Sequence, residues 1–189
     1  MNSSELVCRG IKVIDYFKRE ELQILDAIPT AEGAVQIAMD ERPYTISGSN
    51  CLVIGYGRIG KILSSMLKAL NARVTVSARK CEDLAWIRAY GMIPHETSKI
   101  SEIIPEQDII FNTVPSLVIG SNELAKAKKT ALLVDLASKP GGIDFDEAKN
   151  YGIDTVWSLS LPGKVAPVSA GGYICDTIMN IIEQEERDE

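Results

Sequence analysis

Cys51-Leu52-Val53-Ile54-Gly55-Tyr56-Gly57-Arg58-Ile59-Gly60 is a short apolar run that passes directly into a G-x-G-x-x-G pattern. An uninterrupted apolar run suits a central parallel strand buried on both faces. Behind it, Ile59, Leu63, Met66, Leu67 and Leu70 recur at helical spacing over residues 59–70. The glycine spacing alone decides little, but strand, glycine turn and helix in that order form a dinucleotide-binding fingerprint. Gly55 permits the tight turn, Gly57 lets a diphosphate approach the backbone, and Gly60 lets the helix pack closely on the strand. The free N–H groups and positive end of that helix then face the phosphates, which makes Gly55, Tyr56, Gly57, Arg58, Ile59 and Gly60 the candidate diphosphate clasp. The alternative is three glycines that serve turn and packing alone.

Outward from this stretch, short β-type runs alternate with helical ones. Strands are expected at 74–76, 92–94, 108–113, 131–136 and 155–157, and helices at 84–90, 101–104, 123–128, 145–151 and 169–185. Such alternation is the signature of βαβ units and a parallel sheet, so the expected fold is α/β, a Rossmann-type doubly wound parallel sheet with flanking N- and C-terminal helices. Ahead of the first strand, Thr30 is placed to cap a helix over 30–39, which Pro43 and Ser47-Gly48-Ser49 stop. Ile11, Val13 and Ile14 open a short apolar segment, residues 18–25 are charged on one side, and 183–189 form an acidic end. Trp86 and Trp157 are read as core residues.

Composition narrows the chemistry. The 189 residues are 46% apolar and 24% charged, an ordinary globular balance, and the net charge of −6 argues against nucleic acid or an anionic membrane as partner. Cys8, Cys51, Cys81 and Cys175 are scattered and His95 is the single histidine, so no metal site is expected. Residues 1–10 lack the basic start and apolar stretch of a signal peptide, and no run approaches a membrane span; a reduced, cytoplasmic protein is expected. With one histidine, catalysis would rest on Lys, Asp, Ser, backbone or cofactor.

A site for NAD usually ends its second strand with an acid, about 20 residues past the glycines, that accepts from the ribose 2′-hydroxyl. Here Ser77-Ala78-Arg79-Lys80 stands at that point. Ser77 can donate to a 2′-phosphate and Arg79 can grip it bidentately, so NADP is preferred over NAD; the alternative is a solvated Arg-Lys turn. Glu82 and Asp83 are read as the start of the following helix. Three loops at the carboxyl edge should converge: Asn112-Thr113-Val114-Pro115-Ser116, where Thr113, Val114 and Pro115 would pass the nicotinamide ribose; Leu136-Ala137-Ser138-Lys139-Pro140-Gly141-Gly142; and Leu161-Pro162-Gly163-Lys164-Val165-Ala166-Pro167. Leu136 and Ala137 join the cofactor set, while Ser138, Lys139 and Lys164 are the catalytic candidates, with surface lysine and structural hydrogen bonding as the plain alternatives. Asp135 can orient its loop, and His95 has no evident partner.

Ala27-Ile28-Pro29-Thr30-Ala31-Glu32-Gly33-Ala34, Tyr44-Thr45-Ile46-Ser47-Gly48-Ser49, Asn112-Thr113-Val114-Pro115-Ser116, Asp135-Leu136-Ala137-Ser138-Lys139-Pro140-Gly141-Gly142 and Leu161-Pro162-Gly163-Lys164-Val165-Ala166-Pro167 together resemble the family of the dipicolinate synthase A subunit, over residues 10–185. The resemblance implies an NAD(P)-dependent dehydrogenase of spore-forming bacteria. With the flavoprotein-like B subunit of dipicolinate synthase it would oxidise a dihydrodipicolinate-type product of the lysine pathway to dipicolinate, in the mother-cell cytoplasm. It also implies a small dicarboxylate substrate held by Lys139, Lys164 and Arg58, and a homo-oligomer. Members of that family carry a further domain ahead of the matching segment. The expected organisation is therefore a remnant of that domain with a bridging helix over 1–42, a nucleotide-binding domain over 43–168, and a C-terminal bridging helix with an acidic tail over 169–189. The rival readings are a non-catalytic NADP(H)-binding scaffold, another dehydrogenase with the same cofactor domain, and an S-adenosylmethionine methyltransferase, against which Ser77-Ala78-Arg79 speaks.

Overall fold

A computed structural model of the protein describes residues 12–188. Cys8, Ile11, residues 1–10 and Glu189 lie outside the described residues. Strands β1 (Asn50–Ile54), β2 (Arg73–Ala78), β3 (Ile93–Glu96), β4 (Ile109–Asn112), β5 (Leu132–Asp135) and β6 (Asp154–Trp157) form one sheet in the order β3-β2-β1-β4-β5-β6. Every pairing is parallel. This is the Rossmann order expected from the alternation, and its direction reverses between β1 and β4, where a crevice opens at the carboxyl ends. The helices are α1 (Glu20–Glu41), α2 (Arg58–Ala69), α3 (Cys81–Ala89), α4 (Ser121–Leu124), α5 (Phe145–Tyr151), α6 (Leu161–Val165) and α7 (Pro167–Asp188). No helix among the described residues is long and apolar enough to cross a membrane.

Side chains alternate across each strand, so each strand supplies two cores. Cys51, Val53, Val76, Phe111 and Val134 meet Ala31, Ala34 and Ala38 of α1, Leu63 and Leu67 of α2, and Ile87 of α3 on one face. Leu52, Ile54, Ile110 and Leu133 meet Ile100, Ile104, Leu124 and Ala148 on the other. Burial on both faces explains why β1 reads as apolar at every position from Cys51 to Ile54.

Several local expectations are corrected. The helix expected at 30–39 is the second half of the longer α1, and Thr30 does not cap it: its hydroxyl donates to the Asp26 carbonyl at 2.8 Å, one turn back within the helix. Pro29 lies inside α1, where it removes the N–H that would reach Leu25 and ordinarily costs about 3 kcal/mol. The helix persists because Ala27, Pro29, Ala31, Gly33 and Ala34 are buried and α1 packs on α2, α6 and α7. A Cβ on Gly33 would stand 2.8 Å from Val165 Cγ2, so the glycine lets α1 and α6 approach closely. The loop expected at 161–167 contains α6, with Pro162 in the first turn where a missing N–H does no harm. Residues 97–106 form two 3₁₀ turns, Thr97–Glu102 and Ile104–Glu106, in place of one brief helix, and the helix expected at 123–128 is confined to Ser121–Leu124.

Neither tryptophan is a core residue. Trp86 is 56% exposed, because α3 turns Ile87 and not its neighbour toward the sheet. Trp157 is 37% exposed; its indole N–H donates to the Ala137 carbonyl at 3.0 Å and its ring stacks on Phe145.

Denaturation of Leu63→Ala should show a loss of about 2–5 kcal/mol, while Trp86→Ala stays within about 1 kcal/mol of wild type. Equal losses would mean that α3 carries as much of the core as α2. Burial, with the Asp108 charge nearby, pushes the Cys51 thiol up to about 12, whereas Cys81 and Cys175 are exposed. At pH 8 the Cys51 thiolate fraction is then of order one in ten thousand. A thiol reagent should therefore label Cys81 and Cys175 in the folded protein and spare Cys51 until denaturant is added; prompt native labelling of Cys51 would contradict the packing of β1.

Candidate nucleotide-binding site

The turn between β1 and α2 is built by absent side chains. Gly55 has φ +98°, a left-handed conformation open to glycine, and its N–H donates to the Ser77 carbonyl at 3.0 Å. A Cβ on Gly60 would stand 2.1 Å from the Gly55 oxygen, a contact no side chain allows, so Gly60 is what lets α2 start directly over the end of β1. Gly57 differs: a Cβ there meets nothing within 4 Å and would project into open space. As the N-cap of α2, Gly57 supplies no side-chain acceptor, and the first turn holds no acidic residue. The first-turn N–H groups and the positive helix end are left for an outside anion, which fits a diphosphate.

A cleft of about 500 Å³ opens at this turn. Gly55, Tyr56 and Gly57 line it from the turn, Ala78 at the end of β2 with Arg79 and Lys80 after it from a second segment, and Thr113, Val114 and Pro115 after β4 from a third. The structure thus gathers these candidates around one space at the sheet's switch point. Arg58, Ile59 and Gly60 begin α2 beside it. The Arg58 guanidinium donates to Glu20 Oε2 at 2.6 Å, which ties the first turn of α1 to that of α2 and occupies the cation that the resemblance assigned to substrate.

Ser77 needs correction. Its hydroxyl is fully buried and accepts from Thr97 Oγ1 at 3.3 Å, so it is not presented to a ribose phosphate. The adjoining corner carries both signs of charge. Arg79 is exposed and makes no ion pair among the described residues, Lys80 pairs with Glu82 at 3.3 Å, and Asp83 lines the cleft as well as the first turn of α3. Lys61, Asp83, Thr97 and Val118 are lining residues that the sequence reading did not place at the site, whereas Ser116 belongs to the 112–116 loop that it did. Lys61 and Asp83 were legible in principle, since first-turn residues of helices that follow β1 and β2 lie at the carboxyl edge; Thr97 carries no such local signal. Lys61 Nζ lies 5.5 Å from the centroid of the Tyr56 ring.

Across the switch point, Asn112 and Asp135 are register partners at the ends of β4 and β5, and both are fully buried. Asn112 Nδ2 donates to Asp135 Oδ1 at 2.8 Å and to the Val114 carbonyl at 3.0 Å. Asp135 Oδ1 also accepts from the Ala137 N–H, and Oδ2 accepts from the Gly142 N–H at 2.7 Å. One carboxylate thereby holds both the 112–116 and 135–142 loops. Leu136 and Ala137 are buried beneath this network, away from the cleft, and Ser138 and Lys139 stand exposed above it. Lys164 is exposed on α6. Neither lysine makes an ion pair among the described residues, and neither they nor Ser138 line the cleft, so the expected convergence is seen only for the first two loops. His95 Nε2 donates to the Lys99 carbonyl at 2.9 Å, a structural role.

Residues 26–140 match the family described as D-isomer specific 2-hydroxyacid dehydrogenase, NAD binding domain. The chain belongs to that family. It is also 35% identical over 178 residues to the A subunit of dipicolinate synthase from Bacillus subtilis (strain 168), covering 94% of this chain and 60% of that protein. Two solved structures carry the likeness into three dimensions. The A chain of dipicolinate synthase from Bacillus subtilis superposes with a TM-score of 0.94 at 33% identity, covering all of this chain and 64% of the other. The A subunit of dipicolinate synthase from Bacillus halodurans gives 0.90 at 35% identity, covering 96% of this chain and 63% of the other. The chain thus spans about three fifths of the relatives it matches. An NAD-binding domain of dehydrogenase type accounts for the glycine turn, the uncapped helix and the cleft, and it supports a nicotinamide cofactor.

The second and third glycines of the turn should separate folding from binding. Gly60→Ala forces backbone apart and should destabilise the fold by at least about 1–3 kcal/mol. Gly57→Ala should melt near the wild type yet lose about tenfold or more in nucleotide affinity, since its methyl group lies where the diphosphate approaches. Unchanged nucleotide binding by Gly57→Ala in a fluorescence titration would mean that the phosphates lie elsewhere.

Proposed function

We propose that this chain is the nucleotide-binding part of a dehydrogenase of the dipicolinate synthase type, forming dipicolinate from a dihydrodipicolinate-type precursor with NADP preferred over NAD. The observation that carries the reading is the uncapped start of α2 facing a cleft that also contains Arg79 and Lys80. It is supported by the 35% identity to the A subunit of dipicolinate synthase across nearly the whole chain. First-turn N–H groups of α2 hold the diphosphate, and Arg79 grips a 2′-phosphate with Lys61 and Lys80 adding positive potential. Asp83 opposes that preference, because a carboxylate at the ribose corner favours a free 2′-hydroxyl. A bound nicotinamide supplies the ring carbon that accepts hydride, and aromatisation of the substrate ring drives the transfer. Lys139 and Lys164 pair with substrate carboxylates and Ser138 donates to them, in a cleft completed by the further length that the relatives possess. The flavoprotein-like B subunit of dipicolinate synthase as partner, a second copy of the chain and a mother-cell cytoplasmic setting belong to the same reading.

A second reading, an NADP(H)-binding scaffold without turnover, is favoured by one observation: Ser138, Lys139 and Lys164 stand outside the cleft. The two part on a single assay, dipicolinate formation by the chain joined to the further domain of its relatives and supplied with the B subunit of the synthase and precursor. Substrate-dependent reduction of the nucleotide, diminished by Lys139→Ala, supports the enzyme; nucleotide binding with no turnover supports the scaffold.

Side-by-side titration with NADPH and NADH tests the cofactor preference. Wild type should favour NADPH by about tenfold or more, and Arg79→Glu should reverse the order. Equal affinities in both proteins would discard Arg79 as the discriminator.

A further inference from the structure

Behind the nucleotide cleft lies a second cavity, of about 670 Å³, between α2 and α3. Its walls are unlike those of an ordinary interhelical groove. Trp86 on α3 and Tyr90, the residue just past its end, are 56% and 58% exposed and stack on each other at 5.6 Å with 20° between planes. They present an aromatic wall to solvent, where burial in the core would be the usual fate of such area. Ile62, Met66 and Met92 supply an apolar, adaptable lining opposite.

Polar groups stand at both ends of the cavity, Tyr56 and Lys61 toward the cleft and Lys68 away from it. Tyr56 is only 8% exposed as a residue, but its hydroxyl keeps solvent contact and has no hydrogen-bond partner among the described residues. Burial, then Tyr90 and Asp83, push its pKa up, so at neutral pH the group is protonated and able to donate. Lys61 and Lys68 also line the cavity; Lys68 Nζ donates to the Tyr90 carbonyl and so carries its charge to the aromatic wall. Among the described residues no acidic one lines this space: Asp83, whose charge reaches the phenol, lines the neighbouring cleft. Inside a chain of net charge −6, a cavity with two ammonium groups, a free phenol and no carboxylate has a definite preference.

We propose that this cavity is a second ligand site, for a small planar aromatic carboxylate whose ring lies on Trp86 and Tyr90 and whose carboxylate accepts from Tyr56 and is held by Lys61. Tyr56 and Lys61 line both this cavity and the nucleotide cleft, so the two sites share a wall. A ligand that orders those side chains alters nucleotide affinity, and by linkage the nucleotide alters the ligand's affinity by the same factor.

The test uses the full chain and 2-naphthoate as probe, followed by isothermal titration with and without NADPH. Wild type should bind 2-naphthoate, Trp86→Ala should weaken it about tenfold or more, and the neutral 2-naphthamide should bind about tenfold more weakly than the acid. Trp86 lies outside the nucleotide cleft, so Trp86→Ala should retain wild-type NADPH affinity in the absence of probe, which separates failure of this site from failure of the nucleotide reading. NADPH and 2-naphthoate should each change the other's affinity by the same factor. Absence of binding, binding untouched by Trp86→Ala, equal affinity for acid and amide, or no mutual effect with NADPH would overturn the proposal. So would a change from oligomer to monomer in Trp86→Ala by sedimentation, since the aromatic wall would then be an interface between copies.

Discussion

A carbonyl oxygen and a bare α-carbon in near contact set the geometry of this molecule's working edge. With 2.1 Å between the Gly55 oxygen and the place a Cβ of Gly60 would take, α2 can begin only because that atom is missing. The helix consequently starts at the carboxyl end of β1, with its positive end aimed across the switch point between β1 and β4. Everything proposed for the cleft depends on that aim. A helix displaced by even a side chain's width would carry its free N–H groups away from the space that Arg79, Thr113 and Val114 enclose.

A second constraint holds the other half of the edge. Asp135 is buried yet accepts from Asn112, Ala137 and Gly142, so its desolvation is offset by three donors. Gly142 in turn fits against Asn112 Nδ2 and the Val114 oxygen, where a Cβ would lie within 2.6 Å of both, and its carbonyl accepts from Val118 and Ile119. The loops after β4 and β5 are therefore one unit. Strand ends supply a rigid base, and the exposed residues above it, Ser138 and Lys139, are carried on that base without being fixed by it.

The parts of this structure that were legible in sequence are those governed by neighbours along the chain. The six strands, their parallel order and the turn at 55–60 follow from hydrophobic periodicity and glycine placement, which act over a few residues. What escaped is what tertiary contact decides. Thr30 reads as a helix start, yet contacts with three other helices hold α1 through Pro29. Trp86 reads as core because large aromatics bury well, but the phase of α3 is set by Ile87. Ser77 reads as a ligand donor at a strand end, and only the distant Thr97 reveals that its hydroxyl is already engaged. Lys61 and Asp83 carry no motif of their own, although the helix turns that hold them share the edge with the glycines.

Residues 55–60 are held to clasp a diphosphate while the corner after β2 reads the adenosine ribose, and a crystal structure of the chain grown with NADPH is the decisive check on both. Phosphate oxygens should accept from N–H groups of the first turn of α2, with the 2′-phosphate against Arg79. Density for the nucleotide at any other place, or a side chain of the protein itself filling the crevice in its stead, would refute the assignment.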